Sequence, residues 1–354
     1  MLLNCTDILL QYKIPLFIVI YMKMKYTHKL ISLIFFTLLM SSSHINAQDI
    51  FKITVAQDGT GDYTSIQQAI DASRSFPDNH ITIFVRKGLY HEKIVVPACN
   101  PQIKIIGESA ENTIITFGDF FNKINRGRNS TFYTYTLLVI ADDFYAENLT
   151  IENSAGPVGQ ALALYVRGDR CVFRNCRILG NQDTLFTDGF TSRQYFDGCF
   201  IEGTTDFIFG PATVLFNNCT INSKGNSYIT AASTPQGKQF GYVFINCKLT
   251  AAEGVTKVFL GRPWRDYAKV VFIKCELGTH IQPDGWANWQ GTGRDKTAYY
   301  AEYGNTGPGS DISKRVLWSH QLSKKEASKY TLNNILSPVL PVEKPVEQWI
   351  VADE

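Results

Sequence analysis

Short apolar runs, separated by asparagine, glycine and aspartate, dominate the chain from residue 81 onward. Runs of this length that are rich in β-branched and aromatic side chains predict β-strands rather than helices. A similar run lies near the start of the folded part. The predicted strands cover residues 49–55, 81–86, 103–106, 113–117, 137–141, 149–152 and 161–166.

One segment has a helical pattern instead. Residues 64–74 place Ile66, Ala69 and Ile70 on one face of a helix, and Thr64 or Ser65 is suited to cap its N-terminus. The C-terminal part is glycine-rich over 304–310, helix-like over 319–330 and proline-rich from 338 onward. We expect this tail to pack against the main body or to cover its end.

A phrase of phenylalanine, two further residues and cysteine recurs five times, and its successive cysteines are 23, 20, 28 and 28 positions apart. Short strands at such a period, without helices between them, predict a parallel β-helix in which each repeat forms one coil. A β-sandwich with evenly spaced strands is the alternative, but it does not explain why the phrase recurs in register. The cysteines of the phrase are Cys176, Cys199, Cys219, Cys247 and Cys275.

Two aspartates occupy the same phase of this repeat. Asp183 lies seven residues after Cys176, and Asp206 lies seven residues after Cys199. On neighbouring coils the two carboxyl groups would stack at the spacing of adjacent strands, about 4.8 Å. Both cannot ionise easily at that distance, so one pKa should rise while the other stays low. A proton donor beside a carboxylate predicts an active site, although aspartates that only cap solenoid turns share the pattern.

The residues around this pair help to choose between chemistries. Paired carboxylates about 5 Å apart also fit a retaining glycosidase. Acyl chemistry needs, in addition, neutral donors for an oxyanion, and Gln182 adjoins one acid while Gln160 lies one coil earlier. Arg262 is a candidate bidentate partner for the nucleophile. A salt bridge on a loop is the simpler interpretation of that arginine.

The eight cysteines of the chain allow two interpretations. In a secreted protein this number suggests disulfides, whereas equal phase predicts a ladder of small buried side chains inside the solenoid. Cys199 and Cys219 occupy equivalent positions on successive coils, so we expect one disulfide between them. No closely spaced cysteine and histidine cluster of zinc type is present in the sequence.

Residues 1–47 are predicted to be a leader, with the folded domain covering 48–354. Residues 22–47 follow the order of a secretory signal peptide, with a basic stretch at 22–29, an apolar run at 30–40 and a small polar stretch to Ala47. Residues 1–21 are interpreted as an upstream mis-start, with the true start codon at Met22 or Met24. The apolar run is about half the length of a membrane span. We therefore expect cleavage near Ala47–Gln48 and a secreted or periplasmic protein without a membrane anchor.

Removing this leader changes the formal net charge from +2 to −1. A balance so close to neutral gives no reason to expect nucleic acid or an anionic membrane as a partner. We expect the protein to be a monomer.

The same residues give the chain a family resemblance. Over roughly residues 50–340 it resembles the pectin methylesterases (pectinesterases, carbohydrate esterase family 8). The resemblance implies a right-handed parallel β-helix with a cleft on one face. It also implies hydrolysis of the methyl esters on galacturonate units of pectin, without a metal or cofactor. The motifs that carry it are GLYHE (88–92), GQALAL (159–164), QDTLF (182–186), DFIFG (206–210) and LGRPW (260–264).

The resemblance also implies a role for each candidate residue. Asp206 would attack the ester carbonyl, and Asp183 would protonate methanol and then activate water. Gln160 and Gln182 would hold the oxyanion, and Arg262 would orient the nucleophile. The candidate sugar contacts are Trp264 and Phe186, with a place in the core as the alternative for Phe186.

Other functions stay open at this point. A β-helix glycoside hydrolase or lyase could act on the same polysaccharide, but lyases need clustered acids for calcium, and the turns do not show such a cluster. A non-catalytic polysaccharide-binding β-helix, or an enzyme for a different ester such as a thioester, is the second alternative.

Overall fold

The computed structural model describes residues 52–338 and 345–350. The predicted leader, its cleavage site and the assigned domain boundary lie outside this part of the chain. The described residues form a parallel β-helix, as the repeat predicts. Each coil contributes a strand to sheet 1, then to sheet 2, then to sheet 3, and every strand pairs in parallel with its counterpart on the next coil.

Sheet 1 is the longest of the three sheets. With strands numbered in chain order, its members are β1 (Lys52–Val55), β2 (Ile81–Val85), β5 (Ile103–Gly107), β8 (Tyr145–Glu147), β11 (Cys171–Arg174), β14 (Arg193–Asp197), β17 (Thr213–Asn217), β20 (Tyr242–Ile245), β23 (Lys269–Ile273), β25 (Tyr299–Tyr303) and β26 (His320–Gln321).

Sheets 2 and 3 complete the coils with shorter strands. Sheet 2 consists of β3 (Gly88–Tyr90), β6 (Thr113–Phe117), β9 (Thr150–Asn153), β12 (Arg177–Leu179), β15 (Phe200–Gly203), β18 (Thr220–Ser223), β21 (Lys248–Ala251) and β24 (Glu276–Leu277). Sheet 3 consists of β4 (Ile94–Val96), β7 (Leu137–Val139), β10 (Leu164–Val166), β13 (Leu185–Thr187), β16 (Ile208–Gly210), β19 (Tyr228–Ala232) and β22 (Phe259–Gly261).

The recurring phrase builds the turn from sheet 1 to sheet 2. In each of its five copies the residue before the cysteine has a positive φ between 45° and 61°. Asparagine or glycine, which tolerate this left-handed conformation, stands there in four copies, and Lys274 stands there in the fifth. The phenylalanines stack inside the solenoid with ring centroids 4.3 to 5.1 Å apart. The stacked phenylalanines are Phe173, Phe196, Phe216, Phe244 and Phe272.

The cysteines of the phrase form a buried ladder of free thiols. Cys199 Sγ donates to the Phe173 carbonyl at 3.4 Å, and Cys219 Sγ donates to the Phe196 carbonyl at 3.5 Å. The expected disulfide between Cys199 and Cys219 is therefore wrong. Four of the five thiols have a backbone acceptor on the preceding coil, and the Cys176 thiol donates to the Arg174 carbonyl of its own coil at 3.2 Å. These small side chains are therefore satisfied without a bridge.

Short helices cover parts of the solenoid, and no helix among the described residues is long and apolar enough to cross a membrane. Ser65 caps the first helix as expected, and Glu92 accepts hydrogen bonds from the amides of Ile66 and Gln67 at 3.0 Å each. That acid of the GLYHE motif therefore fixes the first helix. The helices are α1 (Ile66–Ala72), α2 (Phe121–Ile124), α3 (Lys324–Ala327) and α4 (Leu332–Ile335). The 3₁₀ turns are Gly127–Tyr133, Arg294–Lys296, Pro308–Ser310 and Val346–Gln348.

The C-terminal tail packs against the outer face of sheet 1, which confirms its predicted placement. Ile335, Leu336 and Val346 are buried against side chains that point outward from the central strands, among them Tyr195 and Leu215. The tail thus covers an apolar stripe that the solenoid would otherwise expose to water.

Phe244→Ala tests how far the aromatic stack stabilises the solenoid. Phe244 is fully buried between two stacked rings, so truncation should lower the free energy of unfolding by about 3–5 kcal/mol. Denaturant unfolding measures the change. Phe190→Ala is the matched control, because that ring is 71% exposed and its loss should change stability by no more than about 0.5 kcal/mol. Equal losses in the two variants would contradict this account of the core.

Candidate active site

The polar residues predicted from sequence meet in one cleft beside sheet 3. A cavity of about 590 Å³ opens there. Its lining includes all five predicted polar residues and the predicted tryptophan, which come from four different coils. They are Gln160, Gln182, Asp183, Asp206, Arg262 and Trp264.

The two aspartates are stacked by the register of sheet 3. Leu185 pairs with Ile208, and each aspartate lies two residues before its member of that pair. Both acids have left-handed backbone, with φ of 63° at Asp183 and 49° at Asp206. This conformation is uncommon for a residue other than glycine, although aspartate and asparagine adopt it more readily than most. The repeat therefore places the carboxyl groups one coil apart, as their spacing predicts.

Arg262 favours Asp206 as the ionised member of the pair. It is only 7% exposed, and its two oxygens accept hydrogen bonds from Arg262, with Nε–Oδ1 at 2.9 Å and Nη2–Oδ2 at 2.6 Å. Burial raises the pKa of Asp206, and the Arg262 guanidinium opposes that rise. A bidentate arginine of this kind holds a carboxylate both charged and oriented.

Asp183 is placed to stay protonated. Burial is the main reason that its pKa lies well above the ordinary aspartate value, and the neighbouring charge of Asp206 raises it further. Arg262 lowers it by a smaller amount. The carboxyl group makes no hydrogen bond with any described side chain or backbone group, so its proton can be donated into the cleft. One acid and one carboxylate thus face the same cavity.

Two glutamines present amide donors beside the pair. Gln160 and Gln182 lie opposite each other on adjacent coils, joined by a single parallel bridge just before β10 and β13. Their side-chain amides have no hydrogen-bond partner among the described residues, and both line the cavity. Free amide N–H groups that line the same cavity are suited to hold a developing oxyanion.

Arg262 itself is held by two aromatic rings that the sequence did not single out. Its guanidinium carbon lies 4.0 Å from the ring centroid of Tyr228 and 4.1 Å from that of Trp289. The Tyr228 carbonyl also accepts the backbone N–H of Asp206 at 2.8 Å. Tyr228 therefore contacts both members of the ion pair. The rings supply cation–π attraction that keeps the guanidinium in place.

Sequence reasoning missed these rings for a physical reason. Trp289 lies on a long loop 27 residues after Arg262, and Tyr228 lies at the start of a strand, where an aromatic residue predicts core packing. From the sequence alone, only Trp264 of the LGRPW motif was predicted as a tryptophan of the cleft. Trp264 forms the aromatic wall of the cleft and meets Phe209 edge to face at 5.7 Å.

Phe186 lies beneath this wall. It is 5% exposed and stacks on Phe209 at 4.6 Å, within a cluster that also holds Phe132 and Tyr165. The lining of the cavity includes Phe209 but does not include Phe186. A direct contact of Phe186 with a ligand stays a prediction.

The chain is similar to known proteins over most of its length. The sequence model of the family Pectinesterase matches residues 52–338. Pectinesterase 31 of Arabidopsis thaliana is 38% identical over 294 residues, which cover 81% of this chain and 92% of that protein. The solved pectin methylesterase from carrot superposes with a TM-score of 0.75 at 32% identity, covering 80% of this chain and 92% of the carrot chain. A pectin methylesterase in complex with a hexasaccharide gives 0.69 at 26% identity, covering 82% and 98%.

Asp183→Asn tests the protonation of the buried acid through stability. A raised pKa means that the folded state binds the Asp183 proton more tightly than the unfolded state does. The contribution of this proton to the free energy of unfolding is complete below the ordinary aspartate pKa and is lost as pH rises through the folded pKa. The asparagine variant should therefore unfold at a higher temperature than wild type near pH 7, by roughly 2–4 °C for each kcal/mol relieved. The difference should shrink toward pH 3.

Calorimetry across that pH range measures the effect. Glu253→Gln, at an exposed acid without a hydrogen-bond partner among the described residues, is the control and should show no such pH-dependent gain. An Asp183→Asn protein that is less stable than wild type near pH 7 would rule out a protonated Asp183.

Proposed function

The chain belongs to the pectinesterase family, and on that premise we propose that its cleft removes methyl esters from the galacturonate units of pectin through an acyl-enzyme on Asp206. The protein is an esterase of the pectinesterase type. One observation carries the mechanism: the bidentate ion pair of Asp206 with Arg262 lies one coil from Asp183, in a cavity with free amides.

The acylation half-reaction uses the charge difference between the acids. Asp206 attacks the ester carbonyl carbon, and the carbonyl oxygen becomes an oxyanion that accepts hydrogen bonds from Gln160 and Gln182. When the tetrahedral intermediate collapses, the bond to the methoxy oxygen breaks and Asp183 gives that oxygen its proton. Methanol leaves, and the galacturonate acyl group stays on Asp206 as a mixed anhydride.

The deacylation half-reaction restores both acids. Asp183, now a carboxylate, takes a proton from water, and the hydroxide adds to the galacturonate carbonyl carbon. Collapse of this second intermediate releases the Asp206 carboxylate, which returns to its bonds with Arg262. The product acid loses its proton to solvent. Asp183 ends protonated, so the cycle is balanced.

The substrate assignment rests on the shape and surroundings of the cleft. Trp264 offers an aromatic face against which a sugar ring can stack. The relative in complex with a hexasaccharide supports an oligosaccharide in the corresponding cleft. Pectin is extracellular, so an enzyme that acts on it has to be exported. The predicted leader supports a secreted or periplasmic enzyme.

Asp206→Asn should abolish methanol release from methylated pectin, with a loss of about 10⁴-fold or more in kcat. Asparagine tolerates the left-handed backbone of this position, so the fold should be retained. The assay follows methanol, reducing ends and unsaturated products together. Wild-type enzyme should produce methanol alone. Reducing ends would indicate a glycoside hydrolase and unsaturated products a lyase, and full activity in the variant would remove Asp206 from the nucleophile role.

Tyr228→Leu should separate the aromatic support of Arg262 from simple packing. Losing a desolvated cation–π contact of up to about 2 kcal/mol should lower kcat roughly 10- to 30-fold. The acid limb of the pH profile should move upward, because a less ordered Arg262 opposes the raised pKa of Asp206 less effectively. Tyr228→Phe keeps the ring and should keep both kcat and the pH profile. If both variants behave alike, Tyr228 does not act through Arg262.

A further inference from the structure

A second cavity, outside the active site, lies where sheet 3 turns into sheet 1. Its volume is about 580 Å³. Its lining comes from turn 188–192, from Arg193 and Thr213 at the starts of two strands of sheet 1, from loop 233–241, and from the end of α4 with the residues up to Pro338. We refer to it as the Lys238 pocket, because that lysine is its only lining cation without a carboxylate partner among the described residues.

The charges around the Lys238 pocket do not balance. Arg193 lines it too, but this guanidinium is already paired with Asp169, with Nε–Oδ1 at 3.0 Å. Lys238 Nζ donates only to the Thr213 hydroxyl, at 3.1 Å, among the described residues. Within that part of the chain, no aspartate or glutamate lines the pocket. Burial lowers the pKa of Lys238 to about 8, and the more distant charge of Asp169 opposes that effect only in part, as expected for an ammonium group without a bonded counter-ion.

The other lining groups are those that recognise sugars. Phe190 is a phenylalanine with 71% of its surface exposed, at the rim. Gln236 and Gln239 present side-chain amides without a hydrogen-bond partner among the described residues. An exposed aromatic face, free amides and an uncompensated cation together match a sugar that carries a carboxylate.

The pocket lies close to the active-site cleft along the chain. Phe209 and Ala231 of sheet 3 line the cleft, and Thr213 and Pro235, each four residues further on, line the Lys238 pocket. Four residues span at most about 14 Å. A polysaccharide that leaves the cleft can therefore reach the pocket without a large detour.

We propose that the Lys238 pocket binds free galacturonate units, the de-esterified product form of the substrate, and so holds the enzyme on stretches it has already processed. The identity of the ligand rests on the proposed function. A methyl ester carries no charge for Lys238 to pair with, so the pocket would discriminate product from substrate by one carboxylate. Holding the product stretch would favour consecutive attack on the same polymer.

The direct test is NMR titration of the Lys238 ammonium group in the intact chain. Unesterified trigalacturonate should raise its pKa from about 8. The fully methyl-esterified trimer, added to the full-length Asp206→Asn variant so that it is not hydrolysed during the titration, should not raise it. An equal shift with inorganic phosphate or acetate at the same concentration would overturn the sugar assignment. No shift with any of these probes would overturn the pocket itself.

Variants locate the binding and separate it from catalysis. Lys238→Gln should weaken trigalacturonate binding about ten-fold, Phe190→Ala should weaken it less, and Lys314→Gln, at an exposed lysine elsewhere, should leave it unchanged. On a short, fully esterified substrate, Lys238→Gln should keep kcat and KM, while on long pectin it should shorten the runs of consecutive de-esterification. Unchanged runs would overturn the tethering role. The NMR shift does not require turnover, so a failure of the proposed esterase activity would be recognised separately.

Discussion

The placement of two carboxyl groups on adjacent coils, with one arginine bonded to only one of them, is the interaction on which the active site depends. Two carboxylates about 4.8 Å apart repel by about 3–4 kcal/mol at an effective dielectric constant of 20. Arg262 removes the ambiguity over which acid ionises, because both of its hydrogen bonds go to Asp206. The pKa of the other acid is raised well above its ordinary value, so the cleft holds the carboxylate and the protonated carboxyl group that the proposed mechanism requires.

The β-helix supplies this placement because each coil repeats the path of the previous one. The Asp183 amide donates to Thr205 at 3.1 Å and the Asp206 amide donates to Tyr228 at 2.8 Å, so each acid is fixed to the following coil by the same kind of bond. The left-handed backbone of each acid costs about 1 kcal/mol. Packing of the coils, including the stacked phenylalanines, offsets that cost. A rigid scaffold thereby holds in position the two acids to which the proposed mechanism assigns the reaction.

The sequence could predict whatever repeats, and it could not predict contacts between unrelated positions. The phrase before each cysteine predicted the coils, and equal phase predicted the stack of Asp183 on Asp206. Three-residue strands such as Gly88–Tyr90 and Tyr145–Glu147 were missed, since so short a run has no detectable period. The predicted disulfide was wrong because equal phase brings Cys199 and Cys219 close together but does not decide what each thiol bonds to. Both thiols bond to backbone carbonyls instead of to each other. The Arg262 contact with Trp289 joins a strand end to a distant loop, which no spacing rule reveals.

The central claim is that the stacked acids divide their protonation between them, and carbon NMR of the aspartate carboxyl groups measures this directly. In wild-type protein the Asp183 signal should titrate well above the ordinary aspartate range. In Asp206→Asn it should titrate at a lower pH, because the neighbouring negative charge is gone and Arg262 is no longer neutralised. An Asp183 signal that titrates near pH 4 in wild type, or one that does not move in the variant, would contradict the account.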